Sequence, residues 1–177
     1  MSQQAFPLVV DLDGTLIRND VTFESMRLFT QGKPWRFLAI AWWFLRGRAY
    51  LKQELAKRVT LDFAELPYRR DLLRYLRREH EQGRLLALAT AADQRYALGV
   101  AKYLGIFAEV YASDGKTNLK SHAKARVLVR RFGVKKFAYA GNSTADLAVW
   151  EKSAQAIPVG VSERVQRRLK KLDVIVE

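Results

Sequence analysis

The sequence predicts an α/β fold built on a doubly wound parallel sheet, with a helical insertion after the first strand. Three observations carry that expectation. Apolar runs of strand length, at residues 8–10, 85–90, 109–112 and 137–140, alternate with stretches whose apolar residues recur every three or four positions. The first run shows no polar alternation, which suits a parallel strand covered by helices on both faces. Residues 20–65 hold three consecutive helical patterns and no strand pattern, so a separate helical unit sits between the first strand and the next α/β unit.

The elements follow in order. Residues 22–31 place Phe23, Met26 and Phe29 at helical spacing until Gly32, Lys33 and Pro34 interrupt. A second helix starts near Trp35, with Pro34 suited to its first turn, and ends at Arg46 before Gly47. A more polar third helix covers 50–59. Residues 67–82 form a basic amphipathic helix with Leu72, Leu73 and Leu76 on one side and Gly83 as its stop. After the second strand, residues 93–104 are helical and Gly105 closes them. Helices at 121–132, 145–152 and 162–171 separate the third strand, the fourth and two short strands near 156–159 and 174–176. The predicted division is an α/β core from 1–19 and 66–177, with 20–65 as the insertion.

Composition narrows the chemistry. A chain of 177 residues can bury a sizeable core. Its formal charge of +13 points to an anionic partner: a phosphate ester, nucleic acid or an acidic bilayer. There is no cysteine, which excludes disulfides and thiolate metal sites, and His80 and His122 are too few and too separated for a zinc cluster. Hard oxygen ligands remain, and they favour magnesium. Residues 1–7 carry no secretory pattern, so a cytoplasmic location is expected. The most apolar run, residues 37–45, is much shorter than the roughly 20 residues needed to span a bilayer.

The first strand runs into Asp11 and Asp13, followed by Gly14 and Thr15. Two carboxylates at the carboxyl end of a buried parallel strand lie where open sheets bind ligands. They repel each other and lose hydration unless a cation or a proton compensates. Gly14 lets the chain turn, so Asp13 can offer its backbone carbonyl to a metal while its carboxyl points elsewhere. One acid can then serve as nucleophile and the other as general acid and base.

DLDGT resembles the first motif of the haloacid dehalogenase (HAD) superfamily of phosphotransferases, and three further segments resemble the others. Thr90, at the end of the second strand and followed by Ala91, is similar to the second motif, which holds a phosphoryl oxygen. Lys120, in NLKS before a helix, is similar to the third, whose lysine neutralises nucleophile and phosphate; Lys116 and Lys124 are assigned to a solvated basic face. GNSTAD, from Gly141 to Asp146, is similar to the fourth, with Asn142 where an acid is usual. The resemblance implies a Rossmann-like sheet with 20–65 as a cap. It also implies an aspartyl-phosphate on Asp11, acid and base work by Asp13, phosphate contacts from Thr90, Ala91 and Lys120, and Mg2+ held by Asp11, Asp13, Asn142 and Asp146.

A longer resemblance extends to the HAD-like domain fused ahead of UbiA-type polyprenyltransferases, through DLDGTL, WFLRGR with Lys52, ASDGKTNLKSHAKA and YAGNSTADLAVW. It implies a lipid-linked sugar phosphate as substrate and a UbiA-type prenyltransferase as a partner. The Trp-rich run with basic ends at residues 35–48 is read either as packing inside the cap or as an interfacial helix on an anionic membrane. A water-soluble sugar phosphate or nucleotide is the alternative substrate, and a non-catalytic subunit the alternative of another class. No known nucleic-acid motif accompanies the Arg-rich helices, so nucleic acid is not the expected partner.

Overall fold

The computed structural model describes residues 6–114 and 116–176. Residues 1–5, Gly115 and Glu177, which belong to the predicted core segments, lie outside the described residues. Strand β1 (Leu8–Val10) leads into three helices, α1 (Val21–Thr30), α2 (Arg36–Leu45) and α3 (Arg48–Arg58). Then come α4 (Arg70–Glu81), β2 (Leu86–Asp93), α5 (Gln94–Leu104), β3 (Glu109–Ser113), α6 (His122–Phe132) and β4 (Ala138–Gly141). A 3-10 turn (Thr144–Asp146) passes into α7 (Leu147–Trp150), β5 (Gln155–Pro158), α8 (Glu163–Leu169) and β6 (Ile175–Val176).

All six strands are parallel, in the order β3-β2-β1-β4-β5-β6. The chain works outward from β1 through β2 to β3, then crosses back to β4 on the other side of β1. Loops leaving β1 and β4 therefore diverge, and the crevice between them is the ligand position of such sheets. Leu8 is in register with Leu86 on one side and Ala138 on the other, so Asp11 emerges between two neighbouring strands.

Strands without polar alternation still alternate in what they pack against. Leu8, Val10, Leu86, Leu88, Ala138 and Ala140 face a core shared with α4 and α5, through Leu72, Leu76, Ala97 and Val100. Val9, Ala87, Ala89, Phe137 and Tyr139 face the opposite core, with Leu128 of α6, Trp150 of α7 and Leu169 of α8. Burial on both faces is why those runs are apolar throughout.

Two local expectations change. The strand expected to end at Thr90 continues to Asp93, with its register against β3 shifted between Ala89 and Asp93. Ser113 donates a hydrogen bond from its hydroxyl to the Ala91 carbonyl, and Asp93 caps α5 by accepting from the Arg95 N–H, so the extension is tied at both edges. The helix expected from 145 is shortened to four residues behind a 3-10 turn, because Ser143 and Asp146 form a reciprocal capping box.

Helices α1, α2 and α3 enclose a small core of Phe29, Trp43, Leu51 and Leu55. Asp20 caps α1, accepting from the Thr22 and Phe23 N–H groups at 2.7 and 3.3 Å. Gly47, at φ 114°, makes the sharp bend between α2 and α3. Among the described residues no helix is long and apolar enough to cross a membrane.

Candidate active site

The loop after β1 folds back under several constraints. Asp13 accepts from the Val21 N–H at 2.9 Å, which ties the loop to the start of α1. Arg69 donates to the Gly14 carbonyl from Nη2 at 3.1 Å and from Nε at 3.3 Å. Gly14 has φ +73°, and a Cβ there would lie 2.2 Å from Asn142 Nδ2. Only glycine permits both the turn and this approach of the β4 loop.

A cavity of about 350 Å³ opens at the switch point, walled by Asp11, Asp13, Lys52, Lys120, Lys124 and Asn142 among others. Asp11 is buried at its floor. Its Oδ1 accepts from Lys124 Nζ at 2.7 Å, and Thr15 Oγ1 lies 3.4 Å from Oδ2. Lys124 also donates to the Tyr139 hydroxyl at 2.8 Å, and Tyr139 donates to Asp146 Oδ1 at 2.8 Å. This buried chain fixes the cation from behind.

The lysine on Asp11 is thus Lys124, not Lys120 as the sequence suggested. Helix α6 begins at His122, which puts Lys124 in its first turn on the inward stripe with Ala125 and Leu128. Lys120 precedes the helix, is exposed, and reaches the same cavity from its rim. Between them Ser121 adopts φ 52°, ψ −120°, a conformation L residues rarely hold and that costs about 1–3 kcal/mol. Thr90 is fully buried and its Oγ1 accepts from the Ala92 N–H at 3.0 Å, so it shapes the bend while Ala91 lines the cavity.

The resemblance makes Asp146 a metal ligand; in the structure it lines the same cavity, with its carboxylate engaged by the β4 loop. Its Oδ2 accepts from the N–H groups of Asn142 and Ser143 and from the Ser143 hydroxyl, at 3.1, 2.9 and 2.9 Å. With Tyr139 on Oδ1, four donors meet this one group, which makes it an anchor for the β4 loop and for Tyr139. Among the described residues no three His, Cys, Asp or Glu side chains converge as a metal cluster. The donors left for a hard cation are the Asp11 carboxylate, the Asp13 carbonyl and the Asn142 amide oxygen, a set that fits magnesium with several of its waters retained.

Electrostatics agree with a site suited to a cation. Burial pushes the Asp11 carboxyl above its ordinary value, against the opposing pull of Lys124. Burial, followed by the charge of Asp20, pushes Asp13 up to about 7. Burial lowers the pKa of Lys52, which enters from α3 and donates to the Ala91 carbonyl at 2.5 Å. Tyr139, buried beside Asp146 and Asp11, is raised well above its ordinary value and stays a neutral donor.

Lys52, Lys124 and Tyr139 are the site residues that motif reading missed. Tyr139 has no sequence signal beyond being a polar-tipped residue in a buried strand. Lys124 had one: it stands four positions before Leu128 and eight before Phe132, on an apolar stripe where a solvated lysine does not belong.

Residues 8–151 match the family model of the haloacid dehalogenase-like hydrolases. The chain belongs to that family. A curated relative, the uncharacterized protein y4nM of Sinorhizobium fredii, is 39% identical over 169 residues, 95% of this chain and 32% of that protein. The chain therefore spans about a third of the length of this relative. Among solved structures, a Bordetella pertussis protein of unknown function aligns with TM-score 0.74 and 15% identity over 98% of both chains. A substrate-bound phosphoserine phosphatase aligns with TM-score 0.66 and 13% identity, over 99% of this chain and 94% of its own. Both share the HAD-like fold.

Proposed function

We propose that this HAD-like hydrolase cleaves phosphate monoesters through an aspartyl-phosphate on Asp11, with Mg2+ as cofactor. The observation that carries the reading is the single cavity in which Asp11, held by Lys124, stands beside an Asp13 carboxyl with a pKa of about 7. A phospho-aspartyl intermediate analogue of phosphoserine phosphatase shares the fold, with TM-score 0.62 and 15% identity.

In the proposed cycle an Asp11 carboxylate oxygen forms a bond to phosphorus as the ester P–O bond breaks. Asp13, protonated at the outset, gives its proton to the departing oxygen. The resulting Asp13 carboxylate takes a proton from water, whose oxygen attacks the same phosphorus and returns Asp11 as a carboxylate with free phosphate. A pKa near neutrality suits a group that must both give and accept. Lys124 offsets the anionic charge of nucleophile and phosphoryl group, Ala91 lies at the cavity wall beside the transferring oxygens, and Lys120 stands at the entrance. Magnesium, held by Asp11, the Asp13 carbonyl and Asn142, would supply the remaining neutralisation of charge.

The leaving group is proposed to be amphipathic. A second cavity of about 380 Å³ shares Asp20, Lys52 and Lys120 with the first and adds Phe23, Met26 and Phe44. A phosphate end beside the cations and an apolar body beyond them fit this shape. A polyprenyl-linked sugar phosphate, of the polyprenyl-phosphoryl 5-phosphoribose type, is the member of that class to which the resemblance to UbiA-linked domains points. The test is phosphate release with Mg2+ from an aryl phosphate, then from a panel of lipid-linked and water-soluble phosphomonoesters. Asp11→Asn is expected to abolish release from all of them; turnover that survives this change, or no turnover by wild type with any divalent cation, overturns the reading.

A further inference from the structure

Helix α2 packs in the reverse sense for a helix bathed in water. Its inward side carries Ala39, Ile40 and Trp43 against Phe29, Leu51 and Leu55. Its outward side is more apolar still: Leu38 is 76% exposed, Trp42 61% and Leu45 79%, with Trp35, Phe37 and Phe44 also exposed. These positions recur at three- and four-residue spacing, so they form one continuous face rather than scattered surface residues. At 10 residues the helix is about 15 Å long, which allows it to lie along a surface but not to cross one.

Charge identifies the surface. From Ser25 to Gln53 there is no acidic residue, while Lys33, Arg36, Arg46 and Arg48 fall in the same interval; Arg27 pairs with Glu24, and Lys52 is turned into the catalytic cavity. Arg46 lies over the Tyr50 ring at 4.7 Å, which holds a guanidinium at the carboxyl end of the apolar face, whereas Arg36 turns to the inward side over Phe29 at 4.6 Å. An apolar face with Trp and Phe, rimmed by cations, matches the boundary of an anionic bilayer, where rings enter the headgroup layer and cations meet phosphates. A second copy of the chain would set the same cations against each other, which opposes self-association through this face.

We infer that the exposed face of α2 docks on the surface of an anionic membrane. The docking also gives the second cavity a function: its wall includes Phe44 at the end of α2 and Arg48 at the start of α3, and it continues into the catalytic cavity through Lys52 and Lys120. A lipid phosphate leaving the bilayer has a path from the docked face to Asp11. The docking itself is independent of the hydrolase reading, because it is measured without turnover.

The experiment is co-sedimentation of the intact chain with vesicles of phosphatidylglycerol or of phosphatidylcholine, alongside tryptophan fluorescence. Wild type is expected in the phosphatidylglycerol pellet with blue-shifted emission, and in the supernatant with phosphatidylcholine. The variant L38S/W42S/L45S changes only exposed positions; it is expected to keep the wild-type circular dichroism and aryl-phosphate turnover and to lose vesicle binding by about tenfold or more. Asp11→Asn is expected to bind as wild type does, so a failure of catalysis leaves the docking standing. Wild type that stays in solution with phosphatidylglycerol overturns the inference. So does equal binding to both lipids, undiminished binding by the triple variant, or a wild-type dimer that the triple variant dissociates.

Discussion

At the residue scale the decisive feature is a carboxyl held out of its ordinary range. Asp13 has a folded pKa of about 7 against an ordinary 3.8, so ionising it in the folded, cation-free protein is resisted by burial and by Asp20. Protonation of the folded state is favoured, so its stability contribution is fully present below 3.8 and is lost as pH rises through about 7. Asn at this position keeps an oxygen for the Val21 N–H and cannot ionise. Asp13→Asn is therefore expected to raise the melting temperature of chelator-treated protein near pH 8, by about 2–4 °C per kcal/mol relieved, and to leave it nearly unchanged near pH 4. The same change is expected to slow turnover by about 10²- to 10⁴-fold. Melts at the two pH values and a steady-state assay check both; an equal shift at both pH values would refute the raised carboxyl. This scale also divides what the sequence reveals from what it hides. Asp11 and Asp13 were legible because a strand end and a glycine fix their place locally. The Asp11–Lys124–Tyr139–Asp146 chain was not, since it joins the end of β1, α6, β4 and the 3-10 turn, whose facing sides are set only when the sheet assembles.

At the element scale, α2 contains adjacent tryptophans with opposite surroundings. Trp43 is 8% exposed, lies 5.2 Å from the Phe29 ring and has the Arg58 guanidinium 4.8 Å from its own ring. Trp42 points away from that core. Trp43→Ala is expected to destabilise the protein by about 3–5 kcal/mol. Trp42→Ala is expected to stay within about 0.5 kcal/mol of wild type. Urea midpoints with unchanged slopes decide it, and comparable losses for the two would mean that both rings are buried. Because Lys52 reaches the catalytic cavity from α3, which packs on α2, the Trp43 change should also weaken the hold of this lysine on Ala91. The sequence located the helix within a residue at each end, since Pro34 and Gly47 bound it. It could not orient the helix, because a run that is apolar on every side has no periodicity to read. Strand order was likewise a consequence of alternating elements, whereas the extension of β2 past Thr90 depends on Ser113 and Asp93, partners outside the apolar run.

At the scale of the whole molecule, the net charge of +13 acts on stability and on docking with opposite signs. Compacting so much like charge costs free energy through self-repulsion, which salt screens. Against this stand ion pairs such as Glu54 with Lys57 and Arg58, which salt weakens. Partly exposed pairs contribute only about 0–1 kcal/mol each, and the buried Lys124–Asp11 contact is screened far less than a surface pair. Repulsion should therefore dominate. Raising NaCl from about 0.01 M to about 0.15 M shortens the Debye length from about 30 Å to about 8 Å. The melting temperature is expected to rise over that interval, while binding to phosphatidylglycerol vesicles falls. Calorimetry and co-sedimentation on one salt series test the two slopes together. A melting temperature that falls with salt would mean that the ion pairs outweigh the surplus charge, and the excess of lysine and arginine would then have to be accounted for by local pairing instead of by an anionic surface.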